Sequence, residues 1–182
     1  VIEKKELRKK LSKIRNSISD RVFKEKKIIE FLISLNIEKV NIVGGYYPIR
    51  SEVNILPFLK HLNKTGVTTC LPSIKKVDYH LLFKNFKTGE LLTDGMFNIK
   101  EPQNKKFEKP SFILVPLLAF DVDKNRLGYG GGFYDRTIAY LNKITPLTTI
   151  GIGFEEQKLE KVPALEFDKK LDLIITQDGI IK

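Results

Sequence analysis

The sequence has few of the residues that build disulfide frameworks and zinc sites. Its 182 residues include one cysteine, Cys70, and two histidines, His61 and His80. One cysteine cannot form an internal disulfide, and these three residues together cannot build a Cys/His zinc cage. The sequence therefore excludes a disulfide-stapled protein, and we expect any metal to sit among oxygen ligands.

Long apolar runs and a recognisable leader are also missing. No stretch approaches the roughly 18 apolar residues that a membrane span needs. No charged-then-apolar segment with a small-residue cleavage site opens the chain. Together with the lone cysteine, this pattern predicts a protein of the reducing cytoplasm that has no membrane partner.

What the sequence does have is a globular composition and an excess of positive charge. Hydrophobic residues make up 42% of the chain and charged residues 30%, which predicts one domain over residues 1–182. The net charge is +10, and residues 1–27 hold eleven Lys or Arg against four acidic residues. This basic segment indicates RNA, a phosphate ligand, or merely a solvated helix face.

Helix and strand patterns alternate along the chain. Leucines and isoleucines at helical spacing predict an amphipathic helix over about residues 3–18, and Ser19 and Asp20 are expected to cap a second helix. Ser51 is expected to cap a third helix, and residues 133–141 are predicted to form a fourth. Buried strands are predicted at residues 40–45, 67–71, 112–115, 149–154 and 173–176, with a weaker one at 79–86 and a surface loop at 102–109. The alternation predicts an α/β domain with a mostly parallel sheet.

The clearest candidate site is a glycine-rich segment, residues 126–136. Four of the five positions from Gly128 to Gly132 are glycine, and a predicted helix follows. Such a loop can turn several N–H groups toward one anion, and the start of a helix favours phosphate. Arg126 and Arg136 flank the loop with positive charge, and Asp135 in the first helical turn is placed to hold Mg²⁺ against the phosphates.

Other interpretations of this segment differ in how well they fit. No Gly-Lys-Ser/Thr follows the glycines, which excludes a Walker A loop, and the segment is not a dinucleotide-binding fingerprint in a first βαβ unit. A glycine-rich surface turn followed by a helix-capping aspartate stays open.

Glu52 is a second candidate, because it follows a strand end and the aromatic pair Tyr46 and Tyr47. Its carboxylate could bind a ligand, or it could simply stabilise the first turn of a helix that begins after Ser51. Two further acidic residues, Asp121 and Asp123, are better explained as turn residues.

Beyond these patterns, the sequence resembles the 5-formyltetrahydrofolate cyclo-ligases, also called methenyltetrahydrofolate synthetases, over nearly its whole length. The resemblance begins with Lys4-Lys5-Glu6-Leu7-Arg8 and Arg15 and continues through Tyr47 and Glu52. It is strongest at Val115-Pro116, Ala119-Phe120-Asp121 and the block from Arg126 to Arg136, and it extends through residues 151–154, Gln157, Pro163, Asp168 and residues 174–176.

The resemblance implies a single-domain, Rossmann-like, three-layer α/β/α sandwich and an ATP-driven ring closure. The formyl oxygen of 5-formyltetrahydrofolate would attack the γ-phosphate of ATP. The bridging amine would then attack the activated formyl carbon, and phosphate would leave to give 5,10-methenyltetrahydrofolate and ADP. Such chemistry needs positioning and charge neutralisation more than a strong base.

The resemblance also implies roles for individual residues. ATP would bind at Lys4, Lys5, Arg8, Arg126, Gly128, Tyr129, Gly130, Gly131, Gly132, Phe133 and Tyr134. The reduced folate would contact Tyr47, Glu52, Tyr129, Gly130, Gly131, Gly132 and Phe133. Asp135 and Asp168 would hold Mg²⁺, and Arg126, Tyr134 and Arg136 would be the catalytic side chains.

Three positions depart from the family's pattern, and two other functions stay open. Phe133 replaces a frequent tyrosine, Phe167 a frequent histidine and Asn125 a frequent glycine, but none of these changes removes an expected phosphate or metal ligand. The alternatives are a sugar-phosphate isomerase or CoA transferase on a similar fold, and a basic nucleic-acid-binding module. We expect a monomer for which nucleic acid is not the main ligand.

Overall fold

The computed structural model describes residues 2–182, so Val1, where the predicted domain begins, lies outside the described residues. The α-helices are α1 (Ile2–Asn16), α2 (Arg21–Ser34), α3 (Leu56–Lys64) and α4 (Phe133–Leu141). The strands are β1 (Ile42–Gly44), β2 (Thr68–Ser73), β3 (Leu82–Phe86), β4 (Leu92–Asp94), β5 (Lys100–Pro102), β6 (Phe107–Glu108), β7 (Phe112–Pro116), β8 (Ala119–Phe120), β9 (Arg126–Leu127), β10 (Thr148–Ile152), β11 (Leu173–Thr176) and β12 (Gly179–Ile181).

An eight-stranded sheet in the order β12-β11-β10-β7-β1-β2-β3-β6 forms the centre of the molecule. The five middle strands, from β11 to β2, pair in parallel, and antiparallel strands flank them on both sides. From β1 the chain crosses through α3 to β2 on one side, whereas from β7 it crosses through α4 to β10 on the other. The order therefore reverses between β1 and β7, and ligands of open α/β sheets bind at such a reversal.

Helices cover both faces of the sheet. On one face, Ile28 and Leu32 of α2 and Phe58 of α3 pack in a core that includes Leu114 of β7. On the other face, Ile138 of α4 packs in a core that includes the strand neighbours of Leu114, namely Ile113 and Val115. Adjacent strand residues point to opposite faces, so β7 contributes to both cores. The predicted α/β fold with a mostly parallel sheet is confirmed.

Helix α1 packs outside these layers. Its buried Leu11 lies in a third, smaller core with Leu118, Ala119, Leu127 and Val162, which come from the hairpin of β8 and β9 and from the segment after β10. The basic helix therefore lies against loops that follow the parallel strands.

Several predicted boundaries were wrong. Helix α3 begins at Leu56 rather than after Ser51, and Asn54 Oδ1 accepts the Leu56 N–H at 3.1 Å. Asp20 is at the N-cap position of α2 but makes no capping bond with its side chain. The predicted loop at residues 102–109 contains the short edge strand β6, which pairs with β3. The prediction of a single domain stays a prediction.

Candidate active site

The candidate site lies where the parallel strands end. Residues 45–55 follow β1, residues 117–132 follow β7, and residues 153–172 follow β10. Helix α1 packs across these segments, so its basic residues reach the same edge. The structure thus brings the N-terminal basic segment and the glycine-rich loop together.

Residues 128–132, the glycine-rich loop, connect β9 to α4. Gly130 and Gly132 have φ angles of +97° and +64°, a region in which glycine is favoured. Arg8 Nε donates to the carbonyl oxygen of Gly128 at 2.8 Å. A Cβ atom at position 130 would lie 3.0 Å from Arg8 Cζ, so a side chain there would displace the guanidinium by a few tenths of an ångström.

The start of α4 provides N–H groups beside the loop. Gly132 is the N-cap, and because it has no side chain it cannot itself cap the first N–H groups of the helix. Arg136, one turn further on, donates from Nη2 to the Gly131 carbonyl at 2.6 Å and from Nε to the Tyr79 carbonyl at 3.2 Å. Its guanidinium therefore supports the loop from the exposed side.

Two carboxylates and two cations form a cluster next to the loop. Asp135 Oδ1 accepts from Arg126 Nη2 at 2.7 Å and from the Lys169 N–H at 2.9 Å. Asp168 Oδ2 accepts from Lys4 Nζ at 2.6 Å and from the Leu165 N–H at 2.8 Å. Although partial burial acts to raise it, the hydrogen bonds from Lys4 and Leu165 hold the pKa of Asp168 below its ordinary value.

The donor set of this cluster is chemically compatible with a magnesium ion. Mg²⁺ in such sites takes one or two carboxylates, and phosphates and water complete its octahedron. Asp135 and Asp168 each use one carboxylate oxygen in the contacts above. Lys169, whose N–H donates to Asp135, directly follows Asp168 in the chain. Within residues 2–182, no group of three or more His, Cys, Asp or Glu side chains could form an all-protein cage.

Glu52 is buried on the other side of the site. Its side chain is 6% exposed, and its Oε2 accepts the Ile49 N–H at 3.0 Å. Burial raises the pKa of Glu52 to about 7, although the Ile49 N–H and the guanidinium groups of Arg15 and Arg50 oppose the shift. The interpretation of Glu52 as a residue in the first turn of a helix is wrong, because α3 begins only at Leu56.

Two tyrosines lie near this carboxyl group. Burial, and then the nearby carboxylate of Glu52, raise the pKa values of Tyr46 and Tyr134 above the ordinary value of a phenol. Tyr46 donates its hydroxyl to the Val53 carbonyl at 3.0 Å. Tyr134 comes from the first turn of α4, so it connects the glycine-rich loop with the Glu52 side of the site.

Arg15 joins these parts, and the sequence prediction did not include it among the site residues. It is 1% exposed, and Nε donates to Ser51 Oγ at 3.0 Å, next to Glu52. Its Nη1 donates to the Leu117 carbonyl at 3.0 Å, and its Nη2 donates to the Tyr129 hydroxyl. One side chain thus contacts the segment after β1, the segment after β7 and the glycine-rich loop.

A family model described as the 5-formyltetrahydrofolate cyclo-ligase family matches residues 2–177. The chain belongs to the 5-formyltetrahydrofolate cyclo-ligase family. The predicted family and the predicted enzyme class, a ligase, are confirmed.

Curated members of the cyclo-ligase family are similar to this chain over most of their length. The 5-formyltetrahydrofolate cyclo-ligase of Mycoplasma genitalium is 32% identical over 187 residues, covering 96% of this chain and 98% of that protein. The enzyme of Escherichia coli K12 is 31% identical over 146 residues, covering 76% of this chain and 79% of that protein. The structure of the Aquifex aeolicus 5,10-methenyltetrahydrofolate synthetase matches with a TM-score of 0.83 at 29% identity, over 98% of this chain and 92% of that one.

The remaining predicted site residues of this cyclo-ligase lie around the same edge. Tyr47 is partly buried and packs on the α2 and α3 core, whereas Lys5 is exposed on α1. The Phe133 ring meets the Phe97 ring edge-on at a centroid distance of 6.2 Å. Phe97, with a positive φ of +59°, was not among the residues predicted from the sequence.

The sequence does contain a pattern that indicates the burial of Arg15. Leu11, Arg15 and Ile18 are spaced by four and three residues, so the arginine lies on the apolar stripe of α1. An arginine on an apolar face indicates a buried guanidinium with several acceptors.

None of the helices described for residues 2–182 is long and apolar enough to cross a membrane.

Proposed function

We propose that this chain converts 5-formyltetrahydrofolate into 5,10-methenyltetrahydrofolate with consumption of ATP and release of ADP and phosphate. Besides the family membership, the observation that carries the proposal is the arrangement of charged side chains and the glycine-rich loop at one edge of the sheet. A glycine-rich loop with Arg8 and Arg126 lies beside two carboxylates, and the buried carboxyl of Glu52 lies across from them.

The phosphate side of the site is the loop with its surrounding cations. Backbone N–H groups of the loop and of α4 would bind phosphate oxygens, and arginine forks would neutralise their charge. Arg8 already rests on the loop, 2.8 Å from the Gly128 carbonyl. The proposed ATP contacts are Lys4, Lys5, Arg8, Arg126, Gly128, Tyr129, Gly130, Gly131, Gly132, Phe133 and Tyr134.

Asp135 and Asp168 would hold Mg²⁺, which supplies charge neutralisation on the transferring phosphoryl group when it is bound. Both carboxylates are paired with cations, Asp135 with Arg126 and Asp168 with Lys4. Binding of the metal with ATP would let Arg126 and Lys4 turn from the carboxylates to phosphate oxygens. Each of these charged groups then has an oppositely charged partner in both states.

The folate side would be formed by Tyr47, Glu52 and the loop residues Tyr129, Gly130, Gly131, Gly132 and Phe133. A carboxyl group with a pKa of about 7 exists in both forms near neutral pH. Glu52 can therefore accept hydrogen bonds from a pterin ring as a carboxylate or donate one as an acid.

The chain's own groups would act mainly by position. The formyl oxygen of the folate would attack the γ-phosphorus and displace ADP, the bridging amine would then attack the activated formyl carbon with loss of its proton, and phosphate would depart. Arg126 and Arg136 would stabilise the charge that develops on the phosphoryl oxygens. Tyr134 would donate a hydrogen bond, because its raised pKa keeps the hydroxyl protonated.

Turnover with matched omissions tests this function. The purified chain is given 5-formyltetrahydrofolate with both ATP and Mg²⁺, with either one alone, and with neither, and the methenyl product and ADP are followed together. We expect equal amounts of product and ADP, formed only when both are present. ATP binding without folate turnover would contradict the substrate, and turnover without ATP would contradict a ligase.

We further propose that the chain acts as a monomer in the cytoplasm and that nucleic acid is not its main ligand. A single buried cysteine suits a reducing compartment. Light scattering with and without substrates tests the oligomeric state.

A further inference from the structure

Arg15 makes an unusual set of contacts for a fully buried cation. All three of its donating nitrogens are used, and each goes to a different part of the site: Ser51 Oγ, the Leu117 carbonyl and the Tyr129 hydroxyl. The acceptors are neutral, and among the side chains that the structure describes no carboxylate forms an ion pair with Arg15. Burying such a charge is strongly destabilising unless its hydrogen bonds are well made.

The backbone around Arg15 is fixed by a second arginine. Arg21 Nη1 donates to the Arg15 carbonyl at 3.1 Å, and Arg21 Nη2 donates to the Ser51 carbonyl at 3.0 Å. The Leu117 carbonyl also accepts from Gln157 Nε2 at 2.8 Å. Two of the acceptors of Arg15 therefore belong to segments that are already held in place.

The third acceptor, Tyr129, belongs to the glycine-rich loop, whose four glycines allow its backbone many conformations. Its ring lies between two guanidinium groups, with Arg15 Cζ at 5.5 Å and Arg50 Cζ at 4.6 Å from its centroid. Arg50 is exposed, so its contact is open to water, whereas Arg15 is buried and its hydrogen bond to Tyr129 is partly shielded from water. The loop is thus held from the inside by Arg15.

We propose that Arg15 is a positioning residue, which fixes the glycine-rich loop relative to the segment that carries Glu52. This inference rests on the proposed function, in which the loop binds ATP and Glu52 binds the folate. Phosphoryl transfer requires the formyl oxygen and the γ-phosphate to be in line, and a misplacement of about 1 Å costs on the order of a hundredfold in rate. Arg15 itself would contact neither the formyl oxygen nor the γ-phosphate.

Matched substitutions separate positioning from simple support of the fold. Arg15→Lys keeps the charge but replaces a planar fork with one flexible ammonium, which cannot reach three separate acceptors. Tyr129→Phe removes only the loop's acceptor and leaves the other two contacts. Arg50→Lys makes the same change on the exposed side of the same ring and is the control.

We expect Arg15→Lys to lower kcat by about a hundredfold while each KM changes by less than about threefold. Tyr129→Phe should lower kcat in the same way but less. The double variant should be no slower than Arg15→Lys alone, because both changes break one connection. Arg50→Lys should keep kcat within about twofold of the unmodified chain.

Hydrogen exchange of the amides at residues 128–132 gives a readout that does not depend on activity. It should become at least about tenfold faster in Arg15→Lys and Tyr129→Phe but not in Arg50→Lys. A folded Arg15→Lys variant with unchanged kcat and unchanged loop exchange would overturn the inference. If Arg15→Lys does not fold, an unaffected Tyr129→Phe overturns it instead. Absence of turnover in the unmodified chain would refute the proposed function, and loop exchange would still decide whether Arg15 holds the loop.

Discussion

Gly130 shows how a single missing side chain can serve a site. Its φ is +97°, and a Cβ atom there would meet the Arg8 guanidinium at 3.0 Å. We expect Gly130→Ala to destabilise the fold by about 1 kcal/mol through backbone strain. Because Arg8 must also shift by a few tenths of an ångström and weaken its contact with the loop, KM for ATP should rise about two- to tenfold. Chemical denaturation and ATP-dependent kinetics measure the two effects.

Gly89 provides a matched control for this substitution. Its φ is +95°, but a Cβ atom there would have no neighbour within 4 Å. Gly89→Ala should therefore cost similar stability and leave KM for ATP unchanged. Equal KM values for the two variants would mean that the contact between Arg8 and the loop does not matter for ATP.

The raised pKa of Glu52 predicts how the stability of the fold depends on pH. Its pKa is raised from 4.5 to about 7 in the folded chain, so the folded state favours the protonated form. Its stabilising contribution is complete below the unfolded pKa and is lost as pH rises through the folded value. Between pH 5 and 8 the unmodified chain should lose about 2 to 3 kcal/mol relative to Glu52→Gln. Urea unfolding across this range measures the difference.

The same substitution at the exposed Glu160 is the control for Glu52. Glu160→Gln should follow the unmodified chain at every pH. If the curves for Glu52→Gln and the unmodified chain run parallel, Glu52 titrates normally and its burial has been offset by other contacts.

At the residue scale, the sequence indicated which residues could form a site, but not which distant residues contact one another. The glycine-rich loop, Arg126 and Asp135 were predicted from local spacing, because they lie within eleven consecutive residues. Arg15 was not predicted as a site residue, since its acceptors come from segments that are distant in the sequence. The role of Glu52 was undecided, because it depended on the exact start of α3.

Helix α1 is the element that connects the basic N-terminal segment to the site. It docks through Leu11, which is 1% exposed in the small core with Leu118 and Val162. Leu11→Ala should lower the free energy of unfolding by about 2 to 4 kcal/mol. It should also raise KM for ATP, because Arg8 lies on the same helix.

A matched change at an exposed position of α1 checks this prediction. Lys10 is exposed, and Lys10→Ala should change stability by less than about 0.5 kcal/mol and leave KM unchanged. If Leu11→Ala loses stability but keeps its KM for ATP, the docking of α1 is not required for nucleotide binding.

Elements were predicted well where their pattern is long or strongly apolar. Residues 133–141 form α4 as predicted, and β7 and β11 lie at or within one residue of their predicted bounds. The segment between β3 and β7 was predicted poorly. It contains the three short strands β4, β5 and β6, whose few residues are mostly half-buried or exposed and give no clear alternation.

The molecule as a whole carries a net charge of +10, and this should accelerate capture of anionic substrates. Raising the salt concentration from about 50 to 300 mM shortens the Debye length, over which the field is screened, by about 2.4-fold. We therefore expect kcat/KM for ATP to fall with salt at constant free Mg²⁺, while kcat stays nearly constant. Initial rates at several salt concentrations measure both.

Removing charges from α1 tests the source of this effect. Lys9, Lys10 and Lys13 are exposed on the helix, and replacing all three with Gln should weaken the salt dependence without lowering kcat at saturation. An unchanged salt slope would place the relevant charge elsewhere, at the cations of the site itself.

The position of α1 also has a consequence for how the chain is made. The helix precedes its partners during synthesis: Lys4 and Asp168 are separated by 164 residues, and Arg15 and Tyr129 by 114. Contacts between such distant residues form late in folding. A nascent chain therefore presents a basic, amphipathic helix before its docking surface, which includes Leu118, Leu127 and Val162, has been synthesised. Chaperones that bind exposed apolar helix faces would meet this segment before it docks.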